Sequence, residues 1–233
     1  MGRDTAAQQQ GTAGIRRNAA AIRKRIAAAA ARAGRLPSEV TLIAVTKTVD
    51  PPAIQEAFAA GLRDFGESRI QEAGEKIPSL SRLCPGSVWH LVGHLQTNKA
   101  KPAAGLFHMI HSVDSIKVAE ALSQHAAADI PVLVQVNVAG EASKHGFSLP
   151  DTIPALERIA RLPHLRIKGL MTIAPYVDDA EEVRPVFHQL RLMRDALGLE
   201  HLSMGMSDDF EVAIEEGATL VRIGRAIFGR RED

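Results

Sequence analysis

Lys47 ends a short apolar run, residues 41–47, that has the character of a strand buried on both faces. The amine of a lysine can form a Schiff base with an aldehyde or a ketone. Parallel α/β folds gather their chemistry at the C-terminal ends of their strands, where Lys47 would lie. A lysine at a strand end commonly just extends into water. A chemical role therefore depends on which other residues reach the same edge.

Two glycine-containing turns late in the chain have the character of an anion site. Residues 203–207 lead from one predicted strand into a helix, and Gly224 and Arg225 follow the next strand. Glycine lets backbone approach a ligand closely, and a helix start favours an anion. Ser203, Ser207 and Arg225 can donate hydrogen bonds to phosphate oxygens. The alternative is a serine N-cap beside glycines, Gly205 and Gly224, that serve only packing.

An amine that faces a phosphate site fits an aldehyde that carries a phosphate. Pyridoxal 5′-phosphate (PLP) is such a molecule, and proteins hold it on a lysine. Arg222, in the last predicted strand, would face the pyridine nitrogen if it points inward. A protonated arginine leaves that nitrogen unprotonated, which makes the ring a weak electron sink. Asp208 and Asp209 are the alternative partners, although carboxylates at a helix start also cap it.

Eight strand-like runs, separated by helical patterns, position these residues. The predicted strands are 41–47, 62–66, 88–95, 107–113, 131–138, 165–173, 201–204 and 219–223. Strands that alternate with helices pair in parallel, and eight such units close as a single (β/α)8 TIM barrel. An open doubly wound sheet would carry a glycine-rich turn after an early strand, which the turn after Lys47 lacks. Within the second unit, we expect Pro78 to end the helix.

The N-terminal segment predicts one extra helix outside the barrel. Residues 1–11 have the composition of a disordered lead-in, and residues 12–233 form one domain. Residues 11–37 contain many alanines and arginines and no acidic residue, as in a mitochondrial transit peptide. Ile15, Ala19, Ile22 and Ile26 nevertheless recur at helical spacing, which favours a helix packed on the domain.

Composition excludes several classes of protein. A net charge of +1 gives no field that attracts nucleic acid, and 4% aromatic residues argue against base stacking. No apolar run approaches the roughly 20 residues of a membrane span. The single cysteine, Cys84, allows no internal disulfide and fits a reducing compartment. We therefore expect a cytoplasmic protein that binds neither nucleic acid nor membranes.

The histidines predict no metal site. His90 and His94 are four residues apart, which on a strand separates them by roughly 13 Å. His108 and His111 fall on opposite faces of one strand, and His145 lies in a loop.

Several stretches of the chain resemble a known family. They are AVTKTVD, FGESRIQEA, WHLVGHLQTNKAK, VLVQVNVAGEASKHGF, IKGLMTIAP and LSMGMSDDFEVAIEEGATLVRIGRAIFGRR. They closely resemble the pyridoxal phosphate homeostasis proteins (YggS/PROSC type), from about Ile43 to Arg230. The resemblance implies a PLP fold-type III barrel like the N-terminal domain of alanine racemase. It also implies a Schiff base on Lys47, phosphate around Ser203 and Gly224, and the pyridine nitrogen facing Arg222.

Two positions depart from the family pattern. Ser68 stands where members often have asparagine, and Arg225 stands where they often have threonine. Ser68 keeps a hydroxyl of shorter reach, whereas Arg225 either contacts the phosphate by charge or points to solvent. Asn98 and Met171, each next to a predicted strand end, complete the candidate cofactor-binding residues. Lys144, in a glycine-flanked loop, is either a solvated lysine or a secondary contact.

The residues favour a carrier of PLP over an enzyme. A racemase needs one base on each face of the substrate carbon. Lys47 can serve one face, but we expect Tyr176, the single tyrosine, to pack over the mouth. The chain ends at Asp233 without the C-terminal β domain of alanine racemases, so we expect a monomer. The family resemblance implies PLP homeostasis, transient delivery to apo-enzymes and effects on amino-acid and keto-acid balance.

Two other functions stay open from the sequence. The first is a PLP-dependent amino-acid racemase or lyase of low activity. The second is a Schiff-base aldolase for a phosphosugar, which would use the lysine and the phosphate turns without a cofactor.

Overall fold

Eight parallel strands close into a barrel in the computed structural model, which describes residues 2–229 and the side chains of residues 14–229. Each strand pairs with the next, and β8 pairs with β1 to close the sheet. The strands are β1 (Thr41–Val45), β2 (Asp64–Glu67), β3 (Val88–Leu91), β4 (Met109–Val113), β5 (Ile130–Gln135), β6 (Leu165–Met171), β7 (His201–Ser203) and β8 (Leu220–Ile223). The predicted (β/α)8 barrel is confirmed.

Helices connect the strands and surround the barrel. Within residues 2–229 the α-helices are α1 (Gly2–Arg32), α2 (Pro51–Ala59), α3 (Ile70–Leu80), α4 (Ala100–Leu106), α5 (Ile116–His125), α6 (Leu149–Ile159), α7 (Arg184–Ala196), α8 (Phe210–Glu215) and α9 (Arg225–Phe228). Local sequence sets several starts. Asp50, Ser115 and Ser148 accept a backbone N–H in the first turn of α2, α5 and α6.

Helix α1 covers one side of the barrel, as its apolar spacing predicts. Ile15, Ala19, Ile22 and Ile26 are all buried in the main core. Arg25 reaches across to Glu211 at 3.0 Å. The disordered lead-in expected for residues 1–11 stays a prediction. The structure describes the backbone of residues 2–13 as part of α1, but residue 1 and the side chains of residues 2–13 lie outside the described residues.

Several element boundaries differ from the sequence prediction by a few residues, and two of them have a clear physical reason. The expectation that Pro78 ends its helix is wrong, because α3 continues to Leu80. Leu80 is 1% exposed, so its burial favours the extra residues of helix. Strand β3 ends at Leu91 rather than at residue 95. There the loop after β2 lies so close that a Cβ on Gly93 would be 2.3 Å from the Ser68 carbonyl oxygen.

The inside of the barrel divides into an apolar layer and a polar chain. Ile43, Leu133, Met171 and Leu220 form the apolar cluster, separate from the larger core between barrel and helices. The polar groups lie along the other inward positions. None of the helices in residues 2–229 combines the length and the apolar character that crossing a membrane requires.

Gly169 tests the closeness of β6 and β7. An ideal Cβ on Gly169 would lie 2.0 Å from the backbone oxygen of His201, its partner in the strand register. Because backbone must move to admit a methyl group, we expect Gly169→Ala to lower the free energy of unfolding by at least about 2 kcal/mol. Urea denaturation measures this change.

Gly105 provides the matched control for that substitution. It lies exposed in α4 with no atom within 4 Å of an added Cβ. Gly105→Ala should leave stability unchanged or raise it by up to about 1 kcal/mol. Equal effects of the two substitutions would contradict the close approach of β6 and β7.

Candidate functional site

Closure of the barrel brings the end of β1 beside the end of β8. Ile43 pairs with Arg222 and Ala44 with Ile223. The next position in this register would set Val45 against Gly224, so Lys47 and the turn after β8 lie at one edge of the mouth. The Lys47 side chain is exposed. The strand register thus places the backbone of Lys47 and the glycine turn at the same edge, while the contact of the amine with a ligand there stays a prediction.

Side chains of β2 and α3 hold the backbone on both sides of Lys47. Lys76 Nζ donates to the Thr46 carbonyl at 2.8 Å, and the Thr46 hydroxyl donates to Glu67 Oε1 at 2.7 Å. On the other side, the Thr48 N–H donates to Glu72 Oε1 at 2.6 Å. Thr48 adopts a φ of 59°, a left-handed conformation that is uncommon outside glycine. This kink directs the chain away from the barrel directly after Lys47.

These contacts belong to a buried network of charged side chains. Lys76 Nζ lies 2.8 Å from Glu67 and 2.6 Å from Glu72, and its side chain is 7% exposed. Burial raises the pKa of Glu67, although hydrogen bonds from Lys76 and Thr46 oppose the rise. Glu67 Oε2 has no hydrogen-bond partner within the described residues. The sequence reasoning missed this network, whose available signal was the helical spacing of Glu72 and Lys76.

Arg222 points into the barrel and is almost fully buried. Its guanidinium donates to Ser203 Oγ at 2.6 Å and to the Thr172 carbonyl at 2.8 Å. Burial lowers its pKa to about 10, and the charge of Asp209 opposes that shift. The group therefore stays cationic at neutral pH. The inward orientation on which the predicted role of Arg222 depends is present.

A hydrogen-bonded chain continues from Arg222 through the barrel. His111 Nδ1 lies 2.8 Å from Ser203 Oγ, and His111 Nε2 lies 3.0 Å from His90 Nδ1. His90 Nε2 lies 3.1 Å from Asp64 Oδ1 at the start of β2. Burial, and after it the charges of His90 and Arg222, keep the pKa of His111 well below its usual value. If Ser203 donates to His111 Nδ1 and each imidazole donates through its Nε2, every donor in the chain points towards the Asp64 carboxylate.

The turn after β7 is packed tightly against α8. Gly205 has a φ of 92°, and a Cβ there would lie 2.7 Å from the Ala213 side chain. The Gly205 carbonyl accepts the Arg222 N–H at 2.9 Å. The neighbouring Met206 N–H donates to the Asp209 carboxylate. The glycine is therefore required for both conformation and packing.

The remaining candidate residues fall into two groups. Ser207 and Gly224 lie partly buried in the two turns, and Arg225 pairs with Asp208 across them. Ser203, by contrast, turns its hydroxyl into the barrel towards Arg222. Ser68 lies partly buried in the loop after β2.

Four further residues singled out in the sequence lie apart from the two turns. Met171 is fully buried in the apolar layer of the barrel, and Asn98 is exposed near His94 on the rim. The expectation that Tyr176 packs over the mouth is wrong, because 86% of this residue is exposed. Lys144 is engaged by Glu141 at 2.6 Å and by the Ala174 carbonyl at 2.9 Å. It ties the loop after β5 to the segment after β6.

Comparisons with known proteins agree on one family. Residues 18–232 match the family model for the alanine racemase N-terminal domain. The Pyridoxal phosphate homeostasis protein of Pseudomonas aeruginosa is 49% identical over 94% of this chain and 96% of its own length.

Two solved structures have the same barrel at substantial sequence identity. PipY of Synechococcus elongatus, with PLP bound, is 38% identical, has a TM-score of 0.81, and is matched over 92% of this chain and 100% of its own. An unknown protein from Bifidobacterium adolescentis is 38% identical with a TM-score of 0.89, over 94% of this chain and 96% of its own.

Lys76→Met tests the ion network beneath Lys47. The substitution leaves Glu67 buried without its cation, so we expect the free energy of unfolding to fall by about 3–5 kcal/mol. Adding Glu67→Gln to that variant removes the unpaired charge and should recover part of the loss. Urea denaturation of both variants measures the coupling. A double variant no more stable than Lys76→Met would contradict the network.

His111 predicts a dependence of stability on pH. Because its folded-state pKa lies below the unfolded value near 6.5, its neutral form contributes full stability above about pH 6.5. That contribution is lost as pH falls towards the folded pKa, by up to about 1.4 kcal/mol per pH unit. Denaturation of wild type and His111→Asn between pH 7.5 and about 5 should show a shallower slope in the variant.

The exposed His125 at the end of α5 is the control for this measurement. His125→Asn should retain the wild-type slope. A wild-type slope in His111→Asn would show that this ring does not titrate as its burial requires.

Proposed function

This chain belongs to the pyridoxal phosphate homeostasis protein family, and we propose that it binds PLP at the barrel mouth. In this proposal PLP is held as a Schiff base on Lys47, and the protein takes part in intracellular PLP homeostasis and delivery. The name of the 49% identical relative and the PLP bound to PipY support the assignment. Delivery to apo-enzymes, effects on amino-acid and keto-acid balance, a cytoplasmic location and a monomeric state are parts of the same proposal.

One observation carries the proposal most directly: a solvent-accessible amine and a buried cation lie along the same pair of closing strands. Lys47 follows β1 and is exposed, while Arg222 on β8 is buried, cationic and paired with Ile43 in register. The turn around Gly224 lies at the same edge. These groups fit an aldehyde that also carries a phosphate and a basic ring nitrogen.

The residues of the mouth take different parts in this proposal. Lys47 supplies the covalent link, and Arg222 faces the ring nitrogen. Backbone N–H groups of the turns around Ser207 and Gly224 hold the phosphate. Because Arg225 is paired with Asp208, we assign its contribution to the backbone rather than to the guanidinium.

The remaining candidate residues have lesser parts. Ser203 acts through Arg222, since its hydroxyl accepts from that guanidinium. We assign Ser68 and Met171 to the wall of the site, and Asn98 to its outer rim.

We favour a carrier over a racemase or a lyase. PLP, when bound, would supply the electron sink for carbanion chemistry. A racemase also needs a second base fixed opposite the lysine. Tyr176, 86% exposed, lacks the packing that would fix it there. A mouth in which the amine is open to water also weakens electrostatic control of a carbanion.

Lys47→Ala tests the covalent link. We expect wild-type protein reconstituted with PLP to show the visible absorbance band of a Schiff base. After borohydride reduction and denaturation, the pyridoxyl group should remain covalently attached to the protein. Lys47→Ala should lose both signals while its circular dichroism spectrum stays unchanged. Mass spectrometry of the reduced protein locates the modified lysine.

Lys24→Ala is the matched control, since Lys24 is an exposed lysine on α1, outside the barrel. It should behave as wild type. A band that persists in Lys47→Ala would overturn the assignment of the lysine. Turnover-scale exchange of amino-acid Cα hydrogen in deuterated water would instead favour the racemase or lyase alternative.

A further inference from the structure

Three side chains of types that bind metals meet on the rim of the barrel. They follow β3, β4 and β5, on the side of the barrel opposite β7 and β8. His94 lies in the loop after β3, Asp114 directly follows β4, and His145 lies in the loop after β5. One candidate ligand atom from each lies within 4.8 Å of the other two. The sequence predicts no metal site, because the histidine spacings within single strands do not fit one. The three residues of this cluster come instead from three successive loops.

Both imidazoles direct the same type of nitrogen at one carboxylate oxygen. His94 Nδ1 lies 2.7 Å from Asp114 Oδ2, and His145 Nδ1 lies 3.7 Å from it. The first distance is a hydrogen bond, but the second is too long for one. Asp114 Oδ2 is thus hydrogen-bonded to His94 Nδ1, whereas His145 Nδ1 lies near the same oxygen without a hydrogen bond to it.

The two rings are stacked, with centroids 3.8 Å apart and planes at 10°. An imidazole with a lone pair on one nitrogen is a ligand for Zn²⁺, Cu²⁺ and Ni²⁺. Both rings of the stack are therefore of the type that binds such an ion.

Burial and access also fit an ion. The Asp114 side chain is 5% exposed, whereas those of His94 and His145 are 41% and 57% exposed. A nearly buried carboxylate is stabilised by a cation that pairs with it. The exposed rings leave a path from solvent to Asp114.

We propose that His94, Asp114 and His145 bind one divalent transition-metal ion of the Zn²⁺ class through two nitrogens and one oxygen. Three protein ligands leave a further coordination position for water or an anion that approaches the mouth. Ligand atoms in a tetrahedral zinc site lie about 3.3 Å apart, given bonds of about 2.0–2.1 Å. His145 Nδ1 must therefore approach Asp114 by several tenths of an ångström. Because an imidazole binds a metal in its own ring plane, the His145 ring must also rotate out of its stack with His94.

The His145 side chain, 57% exposed, can make that adjustment without a movement of its loop. Gly140 and Gly146 flank that loop with φ values of 70° and 123°. The loop is anchored through backbone, since Gln135 Nε2 donates to the His145 carbonyl at 3.0 Å. The imidazole itself is left to move without breaking this contact.

Metal titration of the full-length chain, without an affinity tag and without PLP, tests the site. Isothermal titration calorimetry with Zn²⁺ should show one ion per chain, and Co²⁺ should give visible ligand-field absorbance. His145→Gln and Asp114→Asn should each weaken binding at least tenfold. His145 is exposed, so its substitution should leave the fold intact; circular dichroism checks both variants.

His164 offers a matched control. It forms a single histidine–carboxylate contact with Asp129 at 3.8 Å, at the opposite end of the barrel from the mouth. His164→Gln should bind Zn²⁺ as wild type does. The proposal would be overturned if wild type bound no ion, or if His145→Gln left the Zn²⁺ affinity unchanged. Equal losses of Zn²⁺ affinity in His145→Gln and His164→Gln would also overturn it. Because the titration uses protein without PLP, its outcome is independent of the proposed cofactor function.

Discussion

The pairing of β1 with β8 is the constraint on which the rest of this protein depends. These strands come from opposite ends of the barrel sequence, and only their pairing closes the sheet. The pairing sets Ile43 beside Arg222 and carries the turn at Gly224 to the edge that Lys47 occupies. Because side chains alternate strictly along a strand, a shift of one residue would turn Arg222 out of the barrel.

The barrel then has to accommodate charge in its interior. Arg222 is cationic and buried, and Ser203 and the Thr172 carbonyl satisfy its donors. The histidines of β3 and β4 extend this chain to the Asp64 carboxylate at the other end. A buried charge without such partners would be costly, so the polar chain and the arginine stabilise each other. This arrangement gives the mouth a fixed positive group at its base.

A second buried network fixes the direction of the chain at Lys47. Lys76 and Glu67 contact Thr46, and Glu72 accepts from the backbone N–H of Thr48. The side chain of Lys47 is thus exposed to solvent while the backbone on both sides of it is held. A carrier needs such a combination, since the amine must be reachable by an incoming aldehyde and yet remain at a fixed place on the rim.

The sequence by itself determined the order of eight strands, the barrel and the packed N-terminal helix, and it selected Lys47, Arg222 and the glycine turns as candidate site residues. These follow from local periodicity and from the rule that parallel strand ends share one edge. Only the tertiary structure decided that Ser203 faces Arg222 and that Pro78 stays inside its helix. It alone brought His94 to Asp114. Such contacts depend on the distances between different loops and strands, which no spacing along the chain encodes.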